Sequence, residues 1–292
     1  MSEKAKNAIS GWLIMLPALI LFGFFVWEPL FESVRMSLYN AKGYTLTEFV
    51  GLANYRSLFA SPDFVIAWKN TFMYIVWSLI IGFIVPIVIA VLITESPILK
   101  SVTRVAVYFP NMLPGLAIVM IWAFFLKPGD MGVLNILMSK IGIKPFTWLT
   151  TKGWTIPLIV LTMTWKSAGS TALIYMARIS DINPELIEAA AIDGAGPLRR
   201  MFSIVIPSLF GLVKTMLILQ IISVFQILYE PLMMTNGGPN NASVSIMMQV
   251  YRYAFDQFNY PKAAAVSVMI NIVLTLITIV YFTVTREKEE AV

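Results

Sequence analysis

The stretch Asn183-Pro184-Glu185-Leu186-Ile187-Glu188-Ala189-Ala190-Ala191-Ile192-Asp193-Gly194-Ala195-Gly196 writes a short helix between two long apolar runs. Asn183 is a capping residue, Pro184 suits the first helical position, where no N–H is needed, and Gly194 or Gly196 supplies the stop. A helix of about ten residues carrying Glu185 and Glu188 cannot cross a bilayer, which takes about twenty apolar residues. It lies on the membrane surface or docks into a partner. Ala189, Ala190 and Ala191 keep one side thin enough for another backbone to come close. A plain connector that turns the chain between two spans is the simpler reading of the same residues.

On either side of this stretch the chain is apolar: 58% of its 292 residues are hydrophobic and 13% charged, which no soluble domain of this length shows. The reading is an all-α membrane protein, one transmembrane domain over residues 1–292. Its six spans are expected at about 12–34, 70–94, 105–126, 154–177, 202–228 and 263–284, with 184–196 as the helix between the fourth and fifth. The first run is long for a signal peptide, and no small-residue cleavage site precedes Glu28-Pro29. Segments from about Arg35 to Trp68, Lys127 to Lys152 and around Thr235-Asn236-Gly237-Gly238-Pro239 read as loops on one side, the second with a weakly amphipathic piece from Val133 to Ile141. Pro86, Pro110 and Pro114 are expected to kink or open their helices.

An even number of spans puts both termini on one side. Lys4, Lys6, Lys100, Arg104, Arg178, Arg199, Arg200, Arg286 and Lys288 fall on that side in short segments, whereas the basic residues of the other side are spread over longer loops. Basic density in short loops marks the cytoplasmic face, so both termini and the 184–196 helix are expected there. The net charge of +5 is thereby explained by topology and gives no reason to expect nucleic acid.

The chemistry this chain lacks is informative. With no His and no Cys it has no common general base, no disulfide and no thiolate or imidazole metal site. No catalytic residue, cofactor site or metal site is expected, and no Gly-rich phosphate loop is present. Ion-coupled carriers usually keep an acid inside the membrane, but Glu95 and Glu230 stand at span ends and Glu28 follows the end of the apolar run Trp12 to Trp27 of the first span. An ion-coupled carrier or channel therefore remains only as the alternative. Lys166 does fall in mid-span, where a lysine costs about 2.5 to 3.5 kcal/mol on insertion scales. It either helps hold a polar solute or makes an inter-helix contact. Ser167, Ser170 and Thr171 on helical spacing with it, and Gln220, Ser223 and Gln226 on the fifth span, offer the same pair of readings. Trp165 is placed to stack on a sugar face or to fill the core.

Glu188-Ala189-Ala190, Asp193-Gly194-Ala195, then Ile204 and Pro207 resemble the cytoplasmic loop of ATP-binding-cassette (ABC) importer permeases, with Ile206 where that family usually has Leu. Met234 to Pro239, Tyr253-Ala254-Phe255 and Lys262 to Ala265 resemble the carbohydrate-uptake permeases of the maltose and glycerol-3-phosphate type, and among these the maltose "F" component. The resemblance covers about Trp12 to Phe282 and implies the six-span type I importer fold in a bacterial cell membrane. It implies four kinds of contact: a second homologous permease, two ATPase subunits docked on the 184–196 helix, an extracytoplasmic solute-binding protein and membrane lipid. ATP is then used by the partner subunits. The implied coupling residues are Glu188, Ala189, Ala190, Asp193, Gly194, Ile204 and Pro207. The implied pathway positions are Met163, Lys166, Ser167, Ser170, Gln220, Ser223, Val224 and Ile227, with Trp165 beside them. Met163, Val224 and Ile227 replace polar types, so maltose itself is not implied.

Overall fold

The computed structural model describes residues 3–95 and 100–289. Residues 96–99, inside the expected charged turn between Glu95 and Lys100, and Glu290 of the tail lie outside the described residues.

The chain is mostly helical. Helix α1 (Glu3–Phe22) runs through Gly23–Trp27 into α2 (Glu28–Ser37). A two-stranded antiparallel hairpin, β1 (Tyr39–Lys42) and β2 (Thr45–Phe49), precedes α3 (Ala53–Phe59) and α4 (Pro62–Trp77). Helix α4 continues through Ser78–Gly82 into α5 (Ile84–Glu95). Helices α6 (Lys100–Met112) and α7 (Gly115–Phe125) follow, then α8 (Val133–Lys140) and α9 (Thr155–Ser180). The short α10 (Pro184–Ile192) leads to α11 (Pro197–Arg200), α12 (Ile206–Ser208) and α13 (Phe210–Phe225). The chain closes with α14 (Tyr229–Thr235), α15 (Ile246–Tyr251) and α16 (Tyr260–Glu289). The segment from Arg35 to Trp68, expected as loop, thus holds a hairpin and two helices, because Asn54 and Pro62 act as local organisers rather than as breakers.

Four stretches widen into π-helix: Gly23–Trp27, Ser78–Gly82, Met201–Val205 and Arg252–Asp256. Three of them stand a few residues before a proline of the same helical run, Pro29, Pro86 and Pro207; the fourth ends at a break, and Pro261 beyond it stands in the first turn of the separate helix α16. A proline has no N–H for the carbonyl four residues back, and the helix accommodates the freed carbonyl by widening. Pro110 and Pro114 act more strongly, since α6 and α7 meet at a bend of 95°.

Among the described residues, three helices are long and apolar enough to cross a membrane: Ser10–Ser37, Pro62–Thr94 and Tyr260–Thr285. Counting the bent pairs Val102–Met112 with Gly115–Phe125 and Leu198–Ser208 with Phe210–Phe225 raises this to five. Helix α9, 26 residues long, is not among them, its apolar run diluted by Thr, Ser, Gly and Lys166.

The residues divide into two units. One holds the chain up to Ser61 with Gln249–Leu276. Here buried Asn54 donates to the carbonyls of Ser37 (2.9 Å) and Tyr39 (3.0 Å), tying α3 to the root of the hairpin. At the hairpin tip Tyr44 stacks on Tyr260, ring centroids 4.4 Å apart.

The other unit, Pro62–Met248 with the chain from Ile277, is organised around α9, of whose 26 residues thirteen are buried. Gly169 makes this packing possible: a Cβ there would lie 2.0 Å from the carbonyl oxygen of Val107, so α6 and α9 touch backbone to backbone. One apolar cluster joins Tyr74, Val119, Ile156, Ile159, Val160, Val224 and Ile227. A second joins Ala90, Val91, Ile93, Ala172, Tyr175, Met176, Ile179, Val205 and Leu209.

Candidate functional site

Helix α10 is set by its own ends. The Asn183 side chain accepts from the Glu185 N–H at 3.1 Å, and Pro184 follows at the first position. At the far end the Ala195 N–H reaches the Ala190 carbonyl (2.9 Å) and the Gly194 N–H reaches Ala191 (3.1 Å). With Gly194 at φ +79° this is a left-handed Schellman stop, so Gly194 and not Gly196 terminates the helix. None of its residues is buried. Leu186 is 56% and Ile192 86% exposed, and Glu188 and Asp193 form no ion pair among the described residues.

The flanks of this exposed helix are the opposite. Tyr175, Met176 and Ile179 at the end of α9, and Val205 and Leu209 beyond α11, all belong to the second apolar cluster. The two chain segments that hold α10 therefore meet in one core. Ile204, half-buried, and Pro207, exposed, stand apart from α10 at the foot of α13, where the chain bends by 66°. Among the expected coupling residues, Glu188, Ala189, Ala190, Asp193 and Gly194 are thus brought together on α10 and its C-terminal cap, while Ile204 and Pro207 sit apart from it, next to the bend before α13.

The expected pathway residues lie on α9 and around the end of α13. Trp165 meets Trp122 edge to face at 5.8 Å. The Lys166 ammonium lies over the α6–α7 bend, 2.8 Å from where a Cβ on Gly115 would stand, and makes no hydrogen bond or ion pair among the described residues. Ser167, Ser170 and Ser223 each donate back to their own helix, to Met163 (3.0 Å), Ser167 (2.8 Å) and Gln220 (2.9 Å), so none of them bridges two helices. Gln220 does bridge, donating to Ser78 in the π-helical stretch between α4 and α5. Val224 and Ile227 are buried in the first apolar cluster, with Met163 packed against it.

Two features escaped the sequence reading. Gly82 is ringed by polar atoms: a Cβ there would stand 3.1 Å from Gln220 Nε2, 3.2 Å from Ser78 Oγ and 3.3 Å from Thr164 Oγ1. The sequence signal was a glycine four residues before Pro86. The second is the buried segment after Pro239. Tyr74 donates to the Ser243 carbonyl (2.9 Å), Asn70 to those of Asn241 (2.7 Å) and Val244 (3.0 Å), and Thr71 accepts from the Ile246 N–H (2.9 Å). Asn70, Thr71 and Tyr74 lie on one face of α4 by their spacing, which was the available clue.

Comparison with known proteins completes the picture. Residues 82–286 match the family described as binding-protein-dependent transport system inner membrane component. The chain is 30% identical over 291 residues, 97% of it and 99% of the relative, to the probable ABC transporter permease protein YurN of Bacillus subtilis (strain 168). It is 28% identical to the lactose transport system permease protein LacF of Rhizobium radiobacter, over 99% of this chain and 98% of that one. Among solved structures, a chain of a bacterial alginate ABC transporter, in complex with an alginate pentasaccharide-bound periplasmic protein, superposes with a TM-score of 0.86. The identity is 26%, and 98% of this chain and 96% of that one are covered. This chain belongs to that transport family: it is an inner membrane permease component of ABC importers with their fold, and not an enzyme.

Proposed function

We propose that this chain carries a sugar or oligosaccharide inward as one of two paired, homologous permease subunits, with both termini cytoplasmic. Residues 1–292 form a single permease domain of six spans, α9 being the fourth in spite of its polar residues. Two ATPase subunits dock on residues 184–196, and an extracytoplasmic solute-binding protein delivers the cargo. Relatives that are permease proteins of lactose, sulfoquinovosyl glycerol and glycerol 3-phosphate transport systems support the cargo class. The higher basic density beside the termini supports the orientation. Closure of the ATPases on ATP moves α10 as a rigid body, and the shared core at its two flanks passes the motion to α9 and α13. Met163, Trp165, Lys166, Ser167, Ser170, Gln220, Ser223, Val224 and Ile227 line the route the cargo takes.

The observation that carries this reading is α10 itself, capped at both ends, wholly unburied, and clamped at both flanks. A connector has no use for an exposed isoleucine and two unpaired carboxylates on a helix so firmly stopped. In proteoliposomes of the assembled importer, Glu188→Lys or Gly194→Leu is expected to abolish binding-protein-stimulated uptake and ATP hydrolysis while the protein stays in the membrane. The second variant adds about 1–2 kcal/mol of left-handed backbone strain. Unchanged ATP-driven uptake in either variant, or uptake by this chain alone without ATP, would refute the assignment.

A further inference from the structure

Between α9, α13 and the π-helical stretch before α5 lies a cleft of about 200 Å³, lined by Gly82, Thr171, Tyr175, Met216, Gln220 and Ser223 together with Phe83 and Leu219. Its polar groups are incompletely satisfied. Tyr175 is 0% exposed, and its hydroxyl has no hydrogen-bond partner among the described residues. A buried hydroxyl left unpaired forfeits its hydration without compensation, so its retention needs a ligand or another reason. Thr171 lies four residues earlier on α9, on the same face as Tyr175, and its hydroxyl likewise makes no hydrogen bond among the described residues. The Gln220 amide spends its N–H on Ser78 and keeps its carbonyl oxygen free. Gly82 leaves the floor open, since any side chain there would press on Gln220 and Thr164.

No charged side chain is among the residues that line the cleft. An anionic group entering it would lose its hydration without gaining a counter-charge, whereas a hydroxyl would find a threonine hydroxyl and an amide carbonyl, and would reach the Tyr175 phenol on a small shift of the side chains that close it off from water. The volume is below the roughly 300–1,000 Å³ of sites for larger ligands, so it suits one ring and not a chain. Along α9, Tyr175 stands about 12 Å beyond Ser167 toward α10. We propose that Thr171 and Tyr175 extend the route inward and, with Gln220 already placed on it, form an inner subsite for one uncharged, hydroxyl-bearing ring of the cargo, on the α10 side of Ser167. This rests on the transport reading above.

The test uses the assembled importer in lipid nanodiscs without ATP, with methyl glucoside as the neutral probe and galacturonate as the anionic one, read by saturation-transfer NMR. Saturable methyl glucoside binding is expected, weakened about fivefold by Tyr175→Phe and by Thr171→Val, the loss of one neutral hydrogen bond each. Galacturonate is expected to bind at least about tenfold more weakly than methyl glucoside, for want of a counter-charge. Tyr175→Phe is also expected to keep or raise the melting temperature, because it removes an unpaired buried hydroxyl. Equal methyl glucoside binding by wild type and Tyr175→Phe, or galacturonate binding as strong as methyl glucoside, would overturn the subsite. A lowered melting temperature without a binding change would give the hydroxyl a structural role and overturn it as well. Binding-protein-stimulated ATP hydrolysis of the same wild-type complex separates the two levels. Its absence overturns the importer reading, and its presence with an indifferent Tyr175 overturns the subsite alone.

Discussion

Helices α9 and α10 are neighbours in the chain and opposites in packing. Helix α9 is rich in Thr, Ser and Gly and carries a lysine, yet half of it is buried; α10 contains Leu186, Ile187 and Ile192, yet none of it is. Composition alone would have exchanged the two. The difference lies in what each has to face: α9 is packed on several sides by α4, α5, α6 and α7, and its small residues let their backbones approach, whereas α10 touches the adjoining α11 and is left unburied among the described residues. A polar helix in a membrane protein is read as a protein-facing one, and an apolar helix outside the membrane as one that waits for a partner.

The largest effect is expected where that packing is tightest. At Gly169 a Cβ would stand 2.0 Å from one backbone oxygen and 2.6 Å from its carbon, both of Val107, and neither can rotate away. Gly169→Leu is expected to prevent α6 from seating on α9, with loss of assembled, membrane-inserted complex in detergent size-exclusion profiles. A stable complex of wild-type yield would show that α6 and α9 separate more easily than their contact suggests, and the contrast with α10 would lose its foundation.

A smaller effect is expected at the start of α10. Asn183→Ala removes the side-chain acceptor for the Glu185 N–H and costs about 1 kcal/mol of local helix stability. Because α10 adds nothing to the core, this loss is expected to leave the melting temperature of the permease unchanged and to appear as faster amide exchange over residues 184–192. A drop in global stability would mean that α10 supports the fold after all.

This difference in packing also explains what was legible in the sequence. The ends of α10 are local chemistry, Asn-Pro at one and Asp-Gly at the other, so its place and length could be read directly. The bend between α11 and α13 was not expected, whereas Pro86, Pro110 and Pro114 foretold where α4–α5 and α6–α7 depart from straight helix. Their form was not legible, because whether a freed carbonyl yields a π stretch, as before Pro86, or a 95° bend, as at Pro114, is decided by the helices packed alongside. Inside α9, Ser167 and Thr171 look alike in sequence. Only the fold shows that the Ser167 hydroxyl is spent on its own helix while Thr171 faces a cleft. The buried run Ser243–Met248 escaped for the same reason, since its partners on α4 are distant in the chain: Asn70 and Asn241 are 171 residues apart, Tyr74 and Ser243 169.

The smallest effect on this chain alone is expected at Ile192, the most exposed large apolar residue among the described residues, 86% exposed at the end of α10. Ile192→Ser removes no contact within the permease, so its stability is expected to stay within about 0.5 kcal/mol of wild type. The same substitution is expected to matter once ATPase subunits are present. Burying an isoleucine is worth about 1.5–3 kcal/mol, which corresponds to roughly 10- to 100-fold in affinity for a partner that covers it. Titrating purified ATPase onto permease in nanodiscs measures that ratio directly. If the affinity of the Ile192→Ser variant equals that of wild type while the Glu188→Lys variant still fails to couple, the ATPase grips the acidic side of α10 and leaves Ile192 to lipid. If both variants bind as wild type does, no partner covers this helix, and α10 is a surface connector whose exposed isoleucine rests in the membrane interface.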